Sequence, residues 1–579
     1  MMICCGRTVL SQSFHLLIKP VDSARNFVRE ELKLKKDFGS ALLCMDYVKK
    51  LPSLLQSRGY LSASVDSIRS DSVHILVDLF VGEQYKWKRL TVDEKDKQLL
   101  NQVGRGINIF DTQVVDQSQI NQLQQKLLDY FENNGYPFAS IAFTHLLLNG
   151  GEVSADLKID KGILYKMDSL VTRGNGKINK NFLYHYLGFF EGSLYNRECL
   201  EKINQHLLEL PYLKQSQPWA LSMLASSYQL NLYLQSKPAN QIDAIAGFLP
   251  ATAEAAKPLF TVDVKLKLQN AFASGETLAL NWQQVQPQSP ALNFIFQRPY
   301  LFNSPFGLDF RFNLYKKDSA YLNLNVSAGV QYVLSSKQKA KIALEFFRSN
   351  LMDIDTVAIQ ANKKLPGAID MSSTDLGLQY EWTNTNYLLN PRKGSEFTLE
   401  IDAGSKTIRR NSEVTQIKDP AFNYGQLYDS IRLHTYRLKL KLNAAWYFQL
   451  GKQSVIKEAF CAGVMESPAY FTNELFRIGG YRLLRGFDEE SIFTNRYAIE
   501  TLEYRYLMGL NSYFFGFTDI GVSKSQIFSC TDRYIAAGIG LAFETKKGIF
   551  NISFANGKRN NLPLNIMESK IHLGFMSFF

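Results

Sequence analysis

Between Phe476 and Gly521, a segment crowded with aromatic residues, three motifs single out one cation, Arg485, and two carboxylates, Glu503 and Asp519. Arg485 lies in Leu484-Arg485-Gly486-Phe487 within a Gly-rich stretch, Glu503 in a strand-like run, and Asp519 in Phe517-x-Asp519-x-Gly521. Aromatic surroundings lower the local dielectric, and a guanidinium taken out of water is costly unless a carboxylate meets it. The planar fork of arginine suits that partner. The chemistry such a set can do is fixation, because a paired Arg485 would pin its loop. A period of two puts Asp519 on one face with Phe517 and Gly521, and Glu503 opposite Leu502 and Tyr504. Either acid can serve. The competing reading is a surface loop between two strands.

Other reactive constellations are missing from the sequence. There is no GxSxG, HExxH or phosphate loop, and the seven histidines are dispersed. Arg173-Gly174-Asn175-Gly176 reads as a turn, and Glu489-Glu490 as the solvated face of a loop. No enzymatic activity, metal or cofactor is expected. Cys4, Cys5, Cys44, Cys199, Cys461 and Cys530 show no CxxC spacing, so a zinc site is not expected. Such scattered cysteines fit poorly with an oxidising compartment. Residues 1–13 (MMICCGRTVLSQS) make a poor leader, with a short apolar stretch and no basic start.

The 579 residues leave room for three or four domains. Aromatic content of 13%, with 40 Phe and 29 Tyr, favours strands. The net charge of +11 is spread along the chain rather than gathered in one tract, so no nucleic-acid partner is expected. No apolar run reaches the roughly 18 residues of a membrane-crossing helix. A membrane barrel stays open, because alternating strands give a weaker hydropathy signal.

The first 240 residues repeat one α+β pattern: a strand, one or two helices, a turn, and two more strands. In the first copy His15–Val21 opens as a strand, and Leu42, Leu43, Tyr47, Leu51, Leu54 and Leu55 recur at helical spacing before Arg58-Gly59-Tyr60. In the second, Ile120, Leu123, Leu127, Leu128 and Phe131 share a helix face before Asn134-Gly135-Tyr136-Pro137-Phe138-Ala139-Ser140. Both glycines sit where a left-handed residue stops a helix. The third opens at Tyr165, carries a helical pattern over Asn196–Leu210, and ends in the strand Gln229–Gln235.

From residue 241 the period changes to two. Val262, Val264, Leu266 and Leu268 alternate with Asp263, Lys265 and Lys267; Tyr436, Leu438, Leu440, Leu442 and Ala444 alternate with Arg437, Lys439, Lys441 and Asn443. Segments of about 9 to 11 residues suit a tilted crossing of a bilayer. A strongly charged polar face suits a wet lumen, and only a closed barrel satisfies every backbone group in lipid. An all-β transmembrane antiparallel barrel is expected over 241–579.

Gly-Tyr-Pro-Phe-Ala-Ser inside its repeat resembles POTRA modules, which take extended segments at a sheet edge. With the barrel, Arg485-Gly486-Phe487, Phe517-x-Asp519-x-Gly521 and Asn390-Pro391-Arg392-Lys393-Gly394, nearly the whole chain resembles the BamA/TamA superfamily of outer-membrane assembly factors. The resemblance implies a leader at 1–13, POTRA units at 14–83, 84–162 and 163–240, and a barrel of about 16 strands at 241–579. It implies that the sixth outer loop folds into the lumen, where Arg485 latches to Asp519, the first choice because it lies in the matching motif, or to Glu503, the second. It implies a C-terminal barrel signal on the face of Ile571, Leu573, Phe575 and Phe579, from which Ser577 and Phe578 depart. It also implies residence in the outer membrane of a Gram-negative bacterium with the POTRA units in the periplasm. The partners implied are unfolded outer-membrane or secreted clients, periplasmic or lipoprotein accessory subunits and the lipid bilayer. The function implied is nucleotide-independent assembly, insertion or translocation at a weak seam between Ile242–Leu249 and Ile571–Phe579. The alternatives are a two-partner secretion transporter with one passenger, or a passive channel.

Overall fold

A computed structural model describes residues 14–22, 32–71, 73–102, 113–249, 259–286, 288–335, 337–387, 389–545, 547–560 and 562–578. The leader at 1–13, Cys4, Cys5 and Phe579 lie outside the described residues. The chain divides into two compact units: Met1–Val171 with Phe190–Lys202 and Ala220–Leu230, and Thr172–Phe189 with Ile203–Trp219 and Asn231–Phe579. Residues of the third N-terminal segment fall in both.

In the first segment Phe14–Pro20 pairs in parallel with His74–Phe80, flanked by Asp37–Phe38 and Ser64–Ser70. The helix Ala41–Gln56 starts at Ser40, whose Oγ accepts from Leu43 N at 3.3 Å. It buries Cys44, Val48, Leu51 and Leu55. The second segment orders its sheet Lys86–Val92, Glu152–Asp160, Ser140–Asn149. Its long helix, Gln117–Asn133, buries Ile120, Leu123, Leu127 and Phe131, four of the five residues its period singles out. Gly59 and Gly135 adopt φ of 90° and 97° after these helices, as a left-handed stop requires. In the third, strands Lys166–Arg173, Ser227–Ser236 and Leu213–Met223 form a sheet in that order, and helices Lys180–Leu187 and Arg197–Glu209 follow its first strand in sequence. Lys180–Leu187 and Leu213–Met223 escape the periodic reading. The helix has only 8 residues, and the strand carries Pro218 in a mostly exposed, polar run.

The barrel is closed by 16 strands. They are β1 Gln241–Leu249, β2 Leu259–Gln269, β3 Thr277–Gln286, β4 Ser289–Arg298, β5 Phe306–Lys317, β6 Tyr321–Ser335, β7 Gln338–Leu351 and β8 Met371–Thr383. The rest are β9 Gly394–Ile408, β10 His434–Gln449, β11 Ser454–Glu466, β12 Arg496–Leu507, β13 Tyr513–Ser525, β14 Cys530–Thr545, β15 Gly548–Arg559 and β16 Lys570–Phe578. All neighbours are antiparallel, and β1 pairs with β16 to close the ring. The end at which the chain enters, at Gln241, is called proximal here; the distal end carries the long connections 352–370, 409–433 and 467–495.

Residue placement inverts that of a soluble core. Asp309, Asp375 and Asp519 point inward and are 1%, 1% and 0% exposed, whereas Leu376, Leu502 and Ile520 face outward at 50%, 55% and 56%. Near the proximal rim Tyr332, Tyr380, Trp446, Phe448, Tyr504, Tyr506 and Phe514 are exposed, as in the aromatic girdle of a membrane barrel. No described helix is long and apolar enough to cross a membrane. Strands expected at about 9 to 11 residues reach 15 in β9 and 16 in β10 and β14. The excess continues the hairpins past the apolar band toward the distal loops. Among the described residues, β1 and β16, the strands that close the ring, span 9 residues each.

Leu376 lies midway along the outer face of β8, so Leu376→Arg is expected to cost about 2–4 kcal/mol. Equilibrium refolding into lipid vesicles checks this, and a cost near zero would contradict a lipid-facing position.

Candidate functional site: a buried arginine on the loop inside the barrel

Loop 6, residues 467–495, joins β11 to β12. Its core is a small hairpin in which Phe476–Ile478 pairs with Ile492–Thr494. Gly479 and Gly480 adopt φ of 111° and 100°, which turns the chain toward Arg485. The Arg485 side chain then meets both candidate acids. Nε and Nη2 donate to Asp519 Oδ2 and Oδ1 at 3.1 and 2.8 Å, and the backbone N donates to Oδ2 at 2.9 Å. Nη1 donates to Glu503 Oε2 at 2.7 Å. The guanidinium carbon stands 3.4 Å from the centroid of the Phe517 ring. The choice between Asp519 and Glu503 therefore dissolves, because one edge of the fork takes each acid.

The cluster extends beyond the loop. Glu503 Oε1 accepts from Arg505 Nε at 2.8 Å, and Arg505 Nη1 donates to Asn390 Oδ1 at 3.0 Å. Asn390 Nδ2 donates to Leu510 O at 3.1 Å. Asp519 Oδ1 also accepts from Thr501 Oγ1 at 2.9 Å. Two guanidiniums and two carboxylates cancel, which is the condition for burying four charges. The Asn390-Pro391-Arg392-Lys393-Gly394 turn and the Leu484-Arg485-Gly486-Phe487 loop are thus the two ends of one hydrogen-bonded chain. Gly394 opens β9 with φ 111°, and a Cβ there would stand 2.0 Å from Asn384 O.

The neighbours of Arg485 are held by close packing. Gly486 has φ 88°, and a Cβ on it would lie 2.7 Å from Asn556 C and 2.8 Å from Gly557 N, in the backbone of β15. Phe487 covers Gly557 and meets Tyr534 edge-on at 5.3 Å. Leu484 is buried with Ile478, Ile492, Ile499 and Tyr534. Gly521 leaves room beneath this cluster, its nearest added contact being Ile499 Cγ1 at 3.3 Å. Phe575 lies elsewhere, packed on Phe550 at 4.6 Å between ring centroids.

A second anchorage of loop 6 was not legible in the sequence. Asn473 Nδ2 donates to Ser349 Oγ at 2.6 Å and Ile369 O at 2.7 Å, while its Oδ1 accepts from Ile369 N at 3.2 Å. Lys406 and Glu474 form an ion pair with no exposed side-chain surface. Around them Ile359, Ile369, Val414, Tyr424, Tyr428 and Phe471 join loop 4 (352–370), loop 5 (409–433) and loop 6 in one apolar cluster. The available signal was the polar triplet Thr472-Asn473-Glu474 between Phe471 and Phe476. Glu489 and Glu490 also depart from expectation. Tyr481 N donates to Glu489 Oε1 at 2.6 Å, and Glu490 pairs with Arg477 at 3.1 Å. The loop folds back into the lumen, so these acids face protein rather than solvent.

A charged lumen, an apolar exterior and an inward loop 6 carrying Arg485 describe one kind of barrel. A model of the Omp85 superfamily domain matches residues 270–574, more than half of the chain. The chain belongs to the Omp85 superfamily. Among solved structures, CdiB from Escherichia coli is similar at 12% identity and TM-score 0.54, covering 93% of this chain and 97% of that one. CdiB from Acinetobacter baumannii is similar at 14% and 0.53, covering 93% and 98%. BamA from Haemophilus ducreyi lacking POTRA domains 1-3 gives 13% and 0.49, covering 85% and 100%. At these identities the likeness to CdiB is one of fold. No curated protein matches in sequence. Omp85 membership makes this an outer-membrane barrel concerned with polypeptide insertion or translocation, preceded by α/β units consistent with POTRA domains.

Arg485→Met removes the guanidinium and leaves Asp519 buried without a cation, at an expected cost of about 3–5 kcal/mol. Gly486→Ala keeps the charges but lifts the loop from β15. Both variants are expected to expose loop 6 to protease while the barrel still folds into vesicles; a loop as resistant as in the parent protein would contradict the geometry.

Proposed function

We propose that this Omp85 protein assembles client polypeptides at the outer membrane without nucleotide hydrolysis. The segments 14–83, 84–162 and 163–240 act as periplasmic POTRA units that receive unfolded chains, with accessory subunits binding the same units. The β1/β16 seam offers client strands a template. Arg485, Asp519 and Glu503 latch loop 6 in the lumen during this work and touch no substrate.

The carrying observation is the brevity of the two ladders of β16 among the described residues. Its ladder to β1 runs from Gln241–Phe578 to Phe248–Ile571, and its ladder to β15 from Ile549–Met576 to Ala555–Lys570. By contrast, β9 and β10 pair from Gly394–Tyr447 through Thr407–His434. A seam flanked by short ladders is the cheapest place to open a closed ring, and an opened edge presents unpaired N–H and C=O groups to an incoming strand. A lumen occupied by loop 6 and capped by loops 4 and 5 favours lateral passage over a permanently open pore.

Depleting the protein and quantifying every outer-membrane barrel tests the assembly reading. Loss of several barrels is the expected result; loss of one secreted protein alone would indicate dedicated export, and no loss with large steady conductance would indicate a passive channel. Arg485→Glu is expected to impair barrel assembly, and Asp519→Arg added to it to restore part of the activity, only part because Glu503 also holds Arg485. A double variant no better than either single one would contradict the latch.

A further inference from the structure

The tip of loop 6 touches both sides of the seam, and the two sides differ in kind. On the C-terminal side, besides the Arg485 cluster, Asn551 Nδ2 donates to Tyr481 OH at 2.8 Å. Lys570 of β16 pairs with Asp488 at 2.5 Å, and the rings of Tyr481 and His572 lie 5.3 Å apart. On the N-terminal side Arg482 Nη2 meets Asp263 Oδ2 of β2 at 3.0 Å. Gln286 Nε2 of β3 donates to the carbonyls of Glu489 and Glu490 at 3.0 and 3.1 Å. Arg477, at the hairpin base, stacks on Tyr315 of β5 at 3.4 Å and belongs to the distal closure.

We propose that the loop 6 tip is a clasp across the β1/β16 seam, fixed to the C-terminal strands and releasable from β2 and β3. Three observations set this asymmetry. Arg485 is buried and held by two acids, whereas the Arg482 side chain is 53% exposed in its single pair with Asp263. Exposed pairs are weak and screened by salt. Gly486 sits against β15 too closely for a Cβ, whereas a cavity of about 150 Å³ separates the tip from the β1–β2 wall, bounded by Ile245, Thr261, Asp263, Tyr481, Arg482 and His572. Finally, Asp263 Oδ1 is buried without a hydrogen-bond partner, so the β2 contact uses only one of that carboxylate's oxygens. When the seam parts, the tip keeps its seat on β12–β16 and surrenders Asp263, Gln286 and Gln283, whose Nε2 donates to Glu490 Oε1 at 3.3 Å. Release of these contacts then sets how often the seam opens. The inference rests on the seam as the opening site proposed above, and not on which client uses it.

Hydrogen exchange of the full chain in lipid nanodiscs, with no client present, tests it. Asp263→Arg, and separately Gln286→Ala as the milder change, are expected to speed exchange in β1 and β2 by about five-fold, the scale of one exposed pair. Peptides of loop 6, β12 and β13 stay protected. The charge swap Asp263→Arg with Arg482→Glu is expected to restore slow exchange, and about 1 M salt to mimic the single substitution in the parent protein. Unchanged exchange in both single variants, failure of the swap to restore it in a folded barrel, or loop 6 exposed together with β1 would each overturn the clasp. Since no client enters the measurement, a negative depletion experiment leaves this result standing.

Discussion

A guanidinium cannot stay charged and dry without acids around it, and the interior of this barrel is organised by that constraint. Arg485 is carried into the lumen by a loop that has no covalent reason to be there. What keeps it there is a neutral set of four charges, Arg485 and Arg505 with Glu503 and Asp519, closed at one end by Asn390. Removing any one member leaves a buried charge uncompensated, which costs more than the intact cluster contributes. The position of the loop 6 tip follows from the set, and so do the seats of Gly486 on β15 and Phe487 on Tyr534, while Asn473 and Glu474 anchor the start of the loop separately.

A second constraint acts from outside. In hydrocarbon every backbone group needs a partner within the protein, so the sheet must close on itself. Closure demands one pairing between the first and last strands, and among the described residues both of these are short. Stability is therefore unevenly spread: β9, β10 and β14 run long, while the β1/β16 closure is brief. A loop bound tightly on one side of that closure and lightly on the other joins the two constraints.

Much of this was legible in residue order, and the failures have physical causes. The period of two from Val262 onward exposed the barrel, because every strand has one wet and one lipid face. Arg485, Glu503 and Asp519 stood out as charges among aromatic residues. Their joint engagement did not, since it depends on the register of β12 against β13, which puts Thr501 beside Asp519 and Glu503 beside Phe517. Lys406 looked like any lumen-facing residue of β9, and Asn473 like any loop amide. Their roles arise from three distal loops meeting one another, and no local pattern encodes such a meeting. Glu489 and Glu490 misled for the same reason, a charged loop being ordinarily solvated.

One arginine, Arg485, is shared by two acids and holds the tip of loop 6 within the barrel. Double-mutant cycles in lipid, pairing Arg485→Gln with Glu503→Gln and then with Asp519→Asn, test it most directly by measuring how far the single effects fail to add. Coupling of about 1–3 kcal/mol in both cycles is the result the structure predicts. Additivity within about 0.5 kcal/mol in both cycles would contradict it.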